Sequence, residues 1–113
     1  MNPDHIAPRL TFNLYQEHAK MTAIYPQEKA LEYLTTGLCA EAGEFAGKVA
    51  KYYRKDMELP KEAIIDELGD ILWFISETAR LLNTPLSQVA DRNRKKLESR
   101  MERGVLKGDG DNR

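Results

Sequence analysis

The sequence predicts an all-α fold: a bundle of four main helices with an acidic helix hairpin at its centre, completed by oligomerisation. Apolar residues recur at spacings of three and four along four stretches of the chain. Proline, threonine and glycine stand where these stretches break. With 113 residues and a formal net charge of -1, the chain fits one domain with a modest core, which subunit association would enlarge.

An irregular arm is expected over residues 1–10, followed by one helical domain over residues 11–104. Thr11 is a suitable N-cap for a first helix that ends near Thr22. The residue before Pro26 avoids the helical backbone region, so this proline separates the first helix from the second.

The second helix is expected from about Gln27 to Tyr53. Its apolar stripe consists of Leu31, Leu34, Leu38, Ala42, Phe45, Val49 and Tyr52. Glycines inside a helix cost about 1 kcal/mol each relative to alanine. They therefore indicate either close helix packing or the approach of a ligand or partner backbone at Gly37, Gly43 and Gly47.

The third helix is expected from Pro60, a favoured first position, to about Leu82. Its core stripe consists of Ile64, Leu68, Ile71, Ile75, Ala79 and Leu82. Trp73 and Phe74 suit aromatic core packing, with stacking on a base as the alternative.

The fourth helix has Thr84 as a candidate N-cap, Pro85 at its first position and Gly104 as a candidate C-cap. Its apolar face consists of Leu86, Val89, Ala90, Leu97 and Met101. The Gly- and Asp-rich tail over residues 105–113 is expected to be disordered.

Two acidic pairs occupy the second and third helices. Glu41 and Glu44 lie three residues apart, as do Glu67 and Asp70, so each pair shares a helix face. Two helices joined by a short loop pack antiparallel, and facing residues then have position numbers with a constant sum. Glu41 with Asp70 and Glu44 with Glu67 both give 111, which centres the turn at residues 55–56.

Four facing carboxylates would repel strongly in a partly dry site, and a bound cation is the simplest remedy. Oxygen-only ligands suit Mg2+ or Mn2+ rather than zinc. The alternative without a metal is two ordinary helices with solvated acidic faces. A di-iron carboxylate bundle is disfavoured because it needs Glu-x-x-His pairs, and neither His5 nor His18 follows a candidate ligand by three residues.

Basic side chains accompany the acids. Lys48 and Lys51 lie one and two turns beyond them on the same stripe, and a second series on the fourth helix comprises Asn93, Lys96 and Arg100. Arginine binds phosphate in bidentate fashion, so acids, metal and bases together suggest a polyphosphate substrate. A solvated helix face is the alternative for the fourth-helix series.

Composition excludes several classes of protein. The near-neutral charge argues against general binding of nucleic acid or anionic membranes. No apolar run approaches the length of a transmembrane helix, and the N-terminus lacks a signal-peptide pattern, so a cytoplasmic protein is expected. The lone Cys39 excludes an internal disulfide and a cysteine-built metal site, and a reduced, buried thiol is expected.

Three motifs resemble those of MazG-like proteins in the all-α nucleoside triphosphate pyrophosphohydrolase superfamily: Gly37-Leu-x-x-Glu41-Ala-Gly-Glu44, Asp66-Glu67-Leu-Gly-Asp70-Ile-Leu-Trp73 and Asn93-x-x-Lys96-Leu-x-x-Arg100. The chain is most similar to the short single-domain type of bacteria and phages, through Tyr15-Gln16 with Ala19 and Thr22 and through the tail from Gly104 to Arg113. The family motif often opens with two adjacent glutamates, and here Ala40 replaces the first.

The resemblance implies Mg2+-dependent hydrolysis of an NTP or dNTP to the monophosphate and pyrophosphate, with metal-activated water attacking the α-phosphorus. It implies homodimers or homotetramers. The matching catalytic and metal-binding positions are Glu41, Glu44, Glu67 and Asp70. The matching substrate-binding positions are Lys48, Lys51, Asn93, Lys96 and Arg100. Candidate base contacts are Asn13, Tyr15, Gln16 and Trp73.

Two other functions stay open: a non-catalytic nucleotide- or metal-binding regulatory module, and an enzyme like phosphoribosyl-ATP pyrophosphohydrolase, which has the same fold. The complete set of acids and the Asn93-Lys96-Arg100 series favour an enzyme, because a binding module could lose acids without penalty. Resemblance to the short MazG-like type disfavours the second alternative.

Overall fold

The computed structural model describes residues 9–55 and 58–113, and this part of the chain contains four α-helices and no strand. The predicted all-α fold is therefore confirmed. The helices are α1 (Phe12–Lys20), α2 (Ala30–Lys55), α3 (Lys61–Leu81) and α4 (Leu86–Glu102), and a short 3-10 turn, Gln27–Lys29, leads into α2. The predicted arm falls almost entirely outside the described residues, as does Asp56 of the predicted turn centre.

Local capping chemistry sets most of the helix ends. The Thr11 hydroxyl accepts a hydrogen bond from the Leu14 amide at 3.0 Å, so the predicted cap of α1 is confirmed. The predicted cap of α4 is wrong: the Thr84 hydroxyl donates to a carbonyl in the preceding turn, and Pro85 takes the N-cap position. Gly104 follows α4 with φ of 73°, the left-handed conformation expected of a C-terminal glycine.

The α2–α3 hairpin forms the main contact of the molecule, α1 packs on α3, and α4 packs on α1 and α3. Among the described residues α4 makes no contact with α2. Gly37 of α2 meets the Phe74 ring of α3, and these positions also sum to 111. The hairpin therefore has the predicted register, which brings the two acidic stretches opposite each other.

The apolar core is small and lies near the end of the hairpin away from its loop. Tyr25, Ala30, Leu34 and Phe74 form its buried cluster. Trp73 packs edge-on against Phe74 with ring centroids 4.9 Å apart, and its indole N–H donates to a threonine hydroxyl at 2.8 Å. Core packing, the first of the two roles considered for Trp73, is the one that the structure shows.

A buried charge network crosses this core. Glu77 is 0% exposed and accepts hydrogen bonds from the Tyr25 hydroxyl at 2.7 Å and from the Arg80 guanidinium at 2.7 and 2.9 Å. Because Tyr25 precedes α2 and the other two residues lie on α3, the network fixes the entry of α2 against the end of α3.

Much of the predicted apolar surface stays uncovered in the single chain. Leu31 is 56% and Leu68 49% exposed. The Cα radius of gyration is 17.0 Å, against about 13 Å expected for a compact chain of this length. Cys39 is exposed, so the predicted buried thiol is wrong, because no described residue covers that face of α2. None of the described helices is both long and apolar enough to cross a membrane.

The C-terminal tail, residues 105–113, folds back on the end of α4 in a series of turns, so the expectation of disorder is wrong. The Arg113 guanidinium donates to the Val105 carbonyl at 3.0 Å and the Leu106 carbonyl at 3.2 Å. Arg103 in turn donates to the Arg113 carbonyl at 2.8 Å. Side-chain bonds to backbone thus replace regular secondary structure here.

Gly37→Ala should destabilise the protein by about 1–3 kcal/mol, because the new Cβ would collide with the buried Phe74 ring. Gly47→Ala is the matched control: its Cβ meets nothing within 4 Å, so greater helix propensity should stabilise by about 0.5–1 kcal/mol. Urea denaturation measures both. A Gly37→Ala protein as stable as the wild type would contradict the packing described.

Candidate functional site

The hairpin register brings three carboxylates together. One carboxylate oxygen from each of Glu41, Glu67 and Asp70 lies within 4.8 Å of the other two. Glu41 comes from α2 and the other two from α3. Glu44, the fourth acid of the predicted set, is exposed and lies outside this group. We call Glu41, Glu67 and Asp70 the acidic cluster.

Basic side chains among the described residues compensate the negative charge of the acidic cluster only in part. Burial raises the pKa of Glu41, and the neighbouring charges of Glu44, Asp70 and Glu67 raise it further. The Oε2 atoms of Glu41 and Glu67 are buried without a hydrogen-bond partner among the described residues. Buried polar atoms are normally partnered, so these two oxygens leave room for a cation. An oxygen-only donor set fits Mg2+ or Mn2+.

Lys48 supplies partial compensation that the sequence did not predict. Its Nζ atom lies 3.0 Å from Glu67 Oε1, across the hairpin, rather than beside Glu44 on its own helix. The hydrogen bond to Glu67 raises the pKa of Lys48, which therefore stays charged. The Lys48 side chain is 40% exposed, so it lies within reach of both the cluster and solvent.

A cavity of about 170 Å3 opens beyond the acids, toward the loop of the hairpin. Its lining consists of Lys48, Lys51, Tyr52, Lys55, Glu58 and Pro60. Lys48 and Lys51 are the predicted phosphate-binding lysines, and the structure adds Lys55, which sequence reasoning missed. The signal was available, because Lys51 and Lys55 are four residues apart on one helix face.

Three of the four candidate base contacts make structural contacts within the chain. Trp73 belongs to the core. The Gln16 amide is buried, donates to the Thr84 carbonyl at 3.0 Å and accepts from the Leu86 amide at 3.1 Å. Asn13 accepts from the Ser87 amide at 3.0 Å. These bonds tie α1 to the start of α4.

Tyr15 is the candidate that faces open space beside the acids. Burial raises the pKa of its hydroxyl, and the charge of Asp70 raises it further, which places the ring near that carboxylate. Tyr15 borders an apolar cavity of about 400 Å3. The other lining residues are Leu10, Thr11, Phe12, Asn13, Leu72 and Ser87. Phe12 and Leu72 were assigned to no site from the sequence, because an apolar cavity wall has the same pattern as a core stripe.

The predicted series on α4 is not brought against Glu41 within one chain, because α4 does not contact α2. Asn93 and Lys96 border a separate groove of about 520 Å3. Arg100 is 5% exposed and lies beneath the C-terminal tail, where its guanidinium donates to the Asp111 carbonyl at 2.8 Å. In the single chain, Asn93 and Lys96 are thus open to a ligand, whereas the tail covers Arg100.

Comparison with known proteins places the chain among nucleotide hydrolases. A family model described as the MazG nucleotide pyrophosphohydrolase domain matches residues 29–105, which include all four predicted acids. The chain is 45% identical over 111 residues to a protein of Mycobacterium phage L5 named "Gene 37 protein". That match covers 89% of this chain and 97% of the phage protein. No solved structure matches the chain.

Proposed function

The chain belongs to the MazG nucleotide pyrophosphohydrolase family, and on that premise we propose that it is a Mg2+-dependent enzyme that cleaves a nucleoside triphosphate to the monophosphate and pyrophosphate. The observation that carries the proposal is the acidic cluster. Its three carboxylates lie within 4.8 Å of one another, and two of them bury an oxygen that has no partner in the described chain. Ribose and deoxyribose triphosphates are both candidate substrates.

Glu41, Glu67 and Asp70 would hold the cation, with Mn2+ as a substitute for Mg2+. When bound, the ion would neutralise phosphate oxygens and make water a stronger nucleophile. Glu44 is exposed one turn from Glu41 and outside the cluster, so its carboxylate is available to take the proton of the attacking water. Water adds to the α-phosphorus, the bond to the bridging oxygen breaks, and pyrophosphate leaves.

The order of groups along the hairpin suggests how the substrate lies. The apolar cavity is bordered by Tyr15, on whose hydroxyl the charge of Asp70 acts, and it offers a surface for the base and sugar. The acids come next, at the level of the α-phosphate. Lys48, Lys51 and Lys55 follow toward the loop and would meet the charge of the departing pyrophosphate.

Release of pyrophosphate from a panel of NTPs, dNTPs and phosphoribosyl-ATP, with Mg2+ and with EDTA, tests this function. We expect turnover of at least one nucleoside triphosphate with Mg2+ and none with EDTA. Binding without turnover would favour the regulatory module, and turnover of phosphoribosyl-ATP alone would favour the enzyme of that type. The panel also identifies the preferred base, which the shape of the cavity at Tyr15 should determine.

The proposed active form is a homodimer or homotetramer. Apolar surface on α2 and α3 stays exposed in one chain, including Leu31 and Leu68, and burying it would supply the missing core. A second copy could also bring Asn93 and Lys96 to Glu41, since α4 does not contact α2 among the described residues of one chain. Light scattering at micromolar concentration should therefore give at least twice the mass of one chain. A folded monomer at that concentration would contradict the assembly.

A further inference from the structure

The C-terminal tail is a built structure that delivers one side chain to a fixed place. Gly104 and Gly110 have φ of 73° and 81°, in the left-handed region that glycine favours. Gly108 approaches the Arg113 side chain so closely that a Cβ there would collide with it. The Arg113 guanidinium closes the turn on the Val105 carbonyl at 3.0 Å. These contacts shape the tail without using Asp111.

Asp111 projects from this frame onto two cations of α4. Its Oδ1 atom accepts from Lys96 Nζ and from the Arg100 guanidinium, each at 3.2 Å, and its carbonyl accepts from Arg100 at 2.8 Å. The hydrogen bonds from Lys96 and Arg100 lower the pKa of the Asp111 carboxyl, so the group is an anion at neutral pH. Its carboxylate thus stands where an anionic ligand of these two cations would stand.

The same Lys96 borders the groove of about 520 Å3 on α4. The groove is also lined by Arg92 and Asn93, and Arg92 has no ion pair within residues 9–55 and 58–113. Two cationic groups and an amide suit the oxygens of a phosphate chain. Asp111 therefore binds a lysine that lines a groove whose chemistry fits a polyphosphate.

We propose that Asp111 is an internal competitor for this α4 anion site and that a polyphosphate ligand binds by displacing its carboxylate from Lys96 and Arg100. Where that ligand is the phosphate chain of a nucleotide, the inference rests on the proposed function. The tail then makes binding depend on the charge of the ligand. A ligand of low charge displaces the carboxylate poorly, whereas pyrophosphate or a triphosphate has enough charge to replace it.

The exposure of Asp111 favours a role as a competitor for the anion site over a role in stabilising the tail. Asp111 is 84% exposed in its side chain, so its carboxylate can swing into water at little cost to itself, and the incoming anion would then neutralise the buried Arg100 guanidinium in its place. The Arg100 bond to the Asp111 backbone carbonyl does not involve the carboxylate and can keep the tail docked during the exchange. Exposed ion pairs are weak, so a more highly charged ligand can replace this one.

Isothermal titration calorimetry with inorganic pyrophosphate, in EDTA and with the full chain, tests the proposal. Asp111→Asn should bind pyrophosphate about 3- to 10-fold more tightly than the wild type, because the carboxylate no longer competes for Lys96 and Arg100. Asp109→Asn is the matched control, since the structure gives that neighbouring aspartate no ion pair. It should match the wild type. Lys96→Met should weaken binding and remove most of the gain when combined with Asp111→Asn.

Three outcomes would overturn the proposal: unchanged or weaker binding by Asp111→Asn, an equal gain in Asp109→Asn, or no binding of millimolar pyrophosphate by any variant. The measurement uses neither metal nor turnover, so it is independent of the proposed hydrolysis. If the protein hydrolyses nucleotides but Asp111→Asn leaves the pyrophosphate affinity unchanged, only the inference about Asp111 is contradicted. If Asp111→Asn shows the predicted gain in affinity but the protein hydrolyses no nucleotide, the anion site is supported and the proposed hydrolysis is not.

Discussion

Glu67→Gln should reduce pyrophosphate release by about 100- to 1000-fold or more, the largest loss that we expect from any single exchange. Glu67 is buried at the centre of the site, where it lies near Glu41 and Asp70 and accepts the Lys48 ammonium at 3.0 Å. A glutamine keeps the shape but removes the anionic oxygen on which cation binding depends. Steady-state kinetics with the best nucleotide of the panel measures the effect.

The control for this exchange is Glu62→Gln, which removes the same charge from an exposed position in the first turn of α3 and should leave the activity unchanged. Thermal unfolding supplies a second readout. Mg2+ at about 100 times its Kd should stabilise the wild type by about 2.7 kcal/mol, and Glu67→Gln should lose this response. Without metal, the variant should differ little in stability from the wild type, because relief of the carboxylate repulsion offsets the lost ion pair with Lys48. An active Glu67→Gln enzyme would contradict the assignment.

Glu77→Gln should destabilise the protein by about 3 kcal/mol, the largest stability loss that we expect. Removing one partner of a buried ion pair costs about 3–5 kcal/mol, and the low end applies because Arg80 is 30% exposed and can regain water. The Tyr25 hydroxyl also loses its carboxylate acceptor. The control is Glu98→Gln, which breaks an exposed pair with Arg94 and should cost less than about 1 kcal/mol in urea denaturation.

The same network should contribute to acid sensitivity. Burial alone would raise the pKa of Glu77, but hydrogen bonds from Arg80 and Tyr25 outweigh it and the pKa is lowered. The folded protein therefore binds this proton less tightly than the unfolded chain, whose pKa is about 4.3. This stabilisation is present above that value and is lost as the pH falls through the folded-state pKa. Glu77→Gln should lack this part of the acid dependence, and an unchanged pH profile would contradict the network's role.

The hairpin register was predictable because helix periodicity and a constant sum determine which residues share a level. The position of Glu44 relative to the acidic cluster was not predictable in this way. Being level with Glu67 does not determine how far a residue is rotated about its helix axis, and Glu44 is exposed and outside the acidic cluster while the partly buried Glu41 belongs to it. The Lys48–Glu67 pair was missed for a related reason, because the sequence shows neighbours along one helix more readily than partners on the opposite helix.

Other errors arose where distant contacts decide a residue's role. Gln16 is buried by a turn that follows α3, some 68 residues later in the chain, and no local pattern reveals that partner. Cys39 borders an apolar stripe, yet the face that it occupies stays open. The tail was expected to be disordered because its composition is polar, whereas Arg103 and Arg113 order it through backbone carbonyls.

Hydrolysis of a nucleoside triphosphate in 18O-labelled water tests the central claim most directly. If Glu41, Glu67 and Asp70 hold Mg2+ at the α-phosphate, 31P NMR should show one 18O atom in the monophosphate and none in the pyrophosphate, with no product in EDTA. Label in the pyrophosphate, formation of a diphosphate with inorganic phosphate, or an absence of any turnover would contradict it.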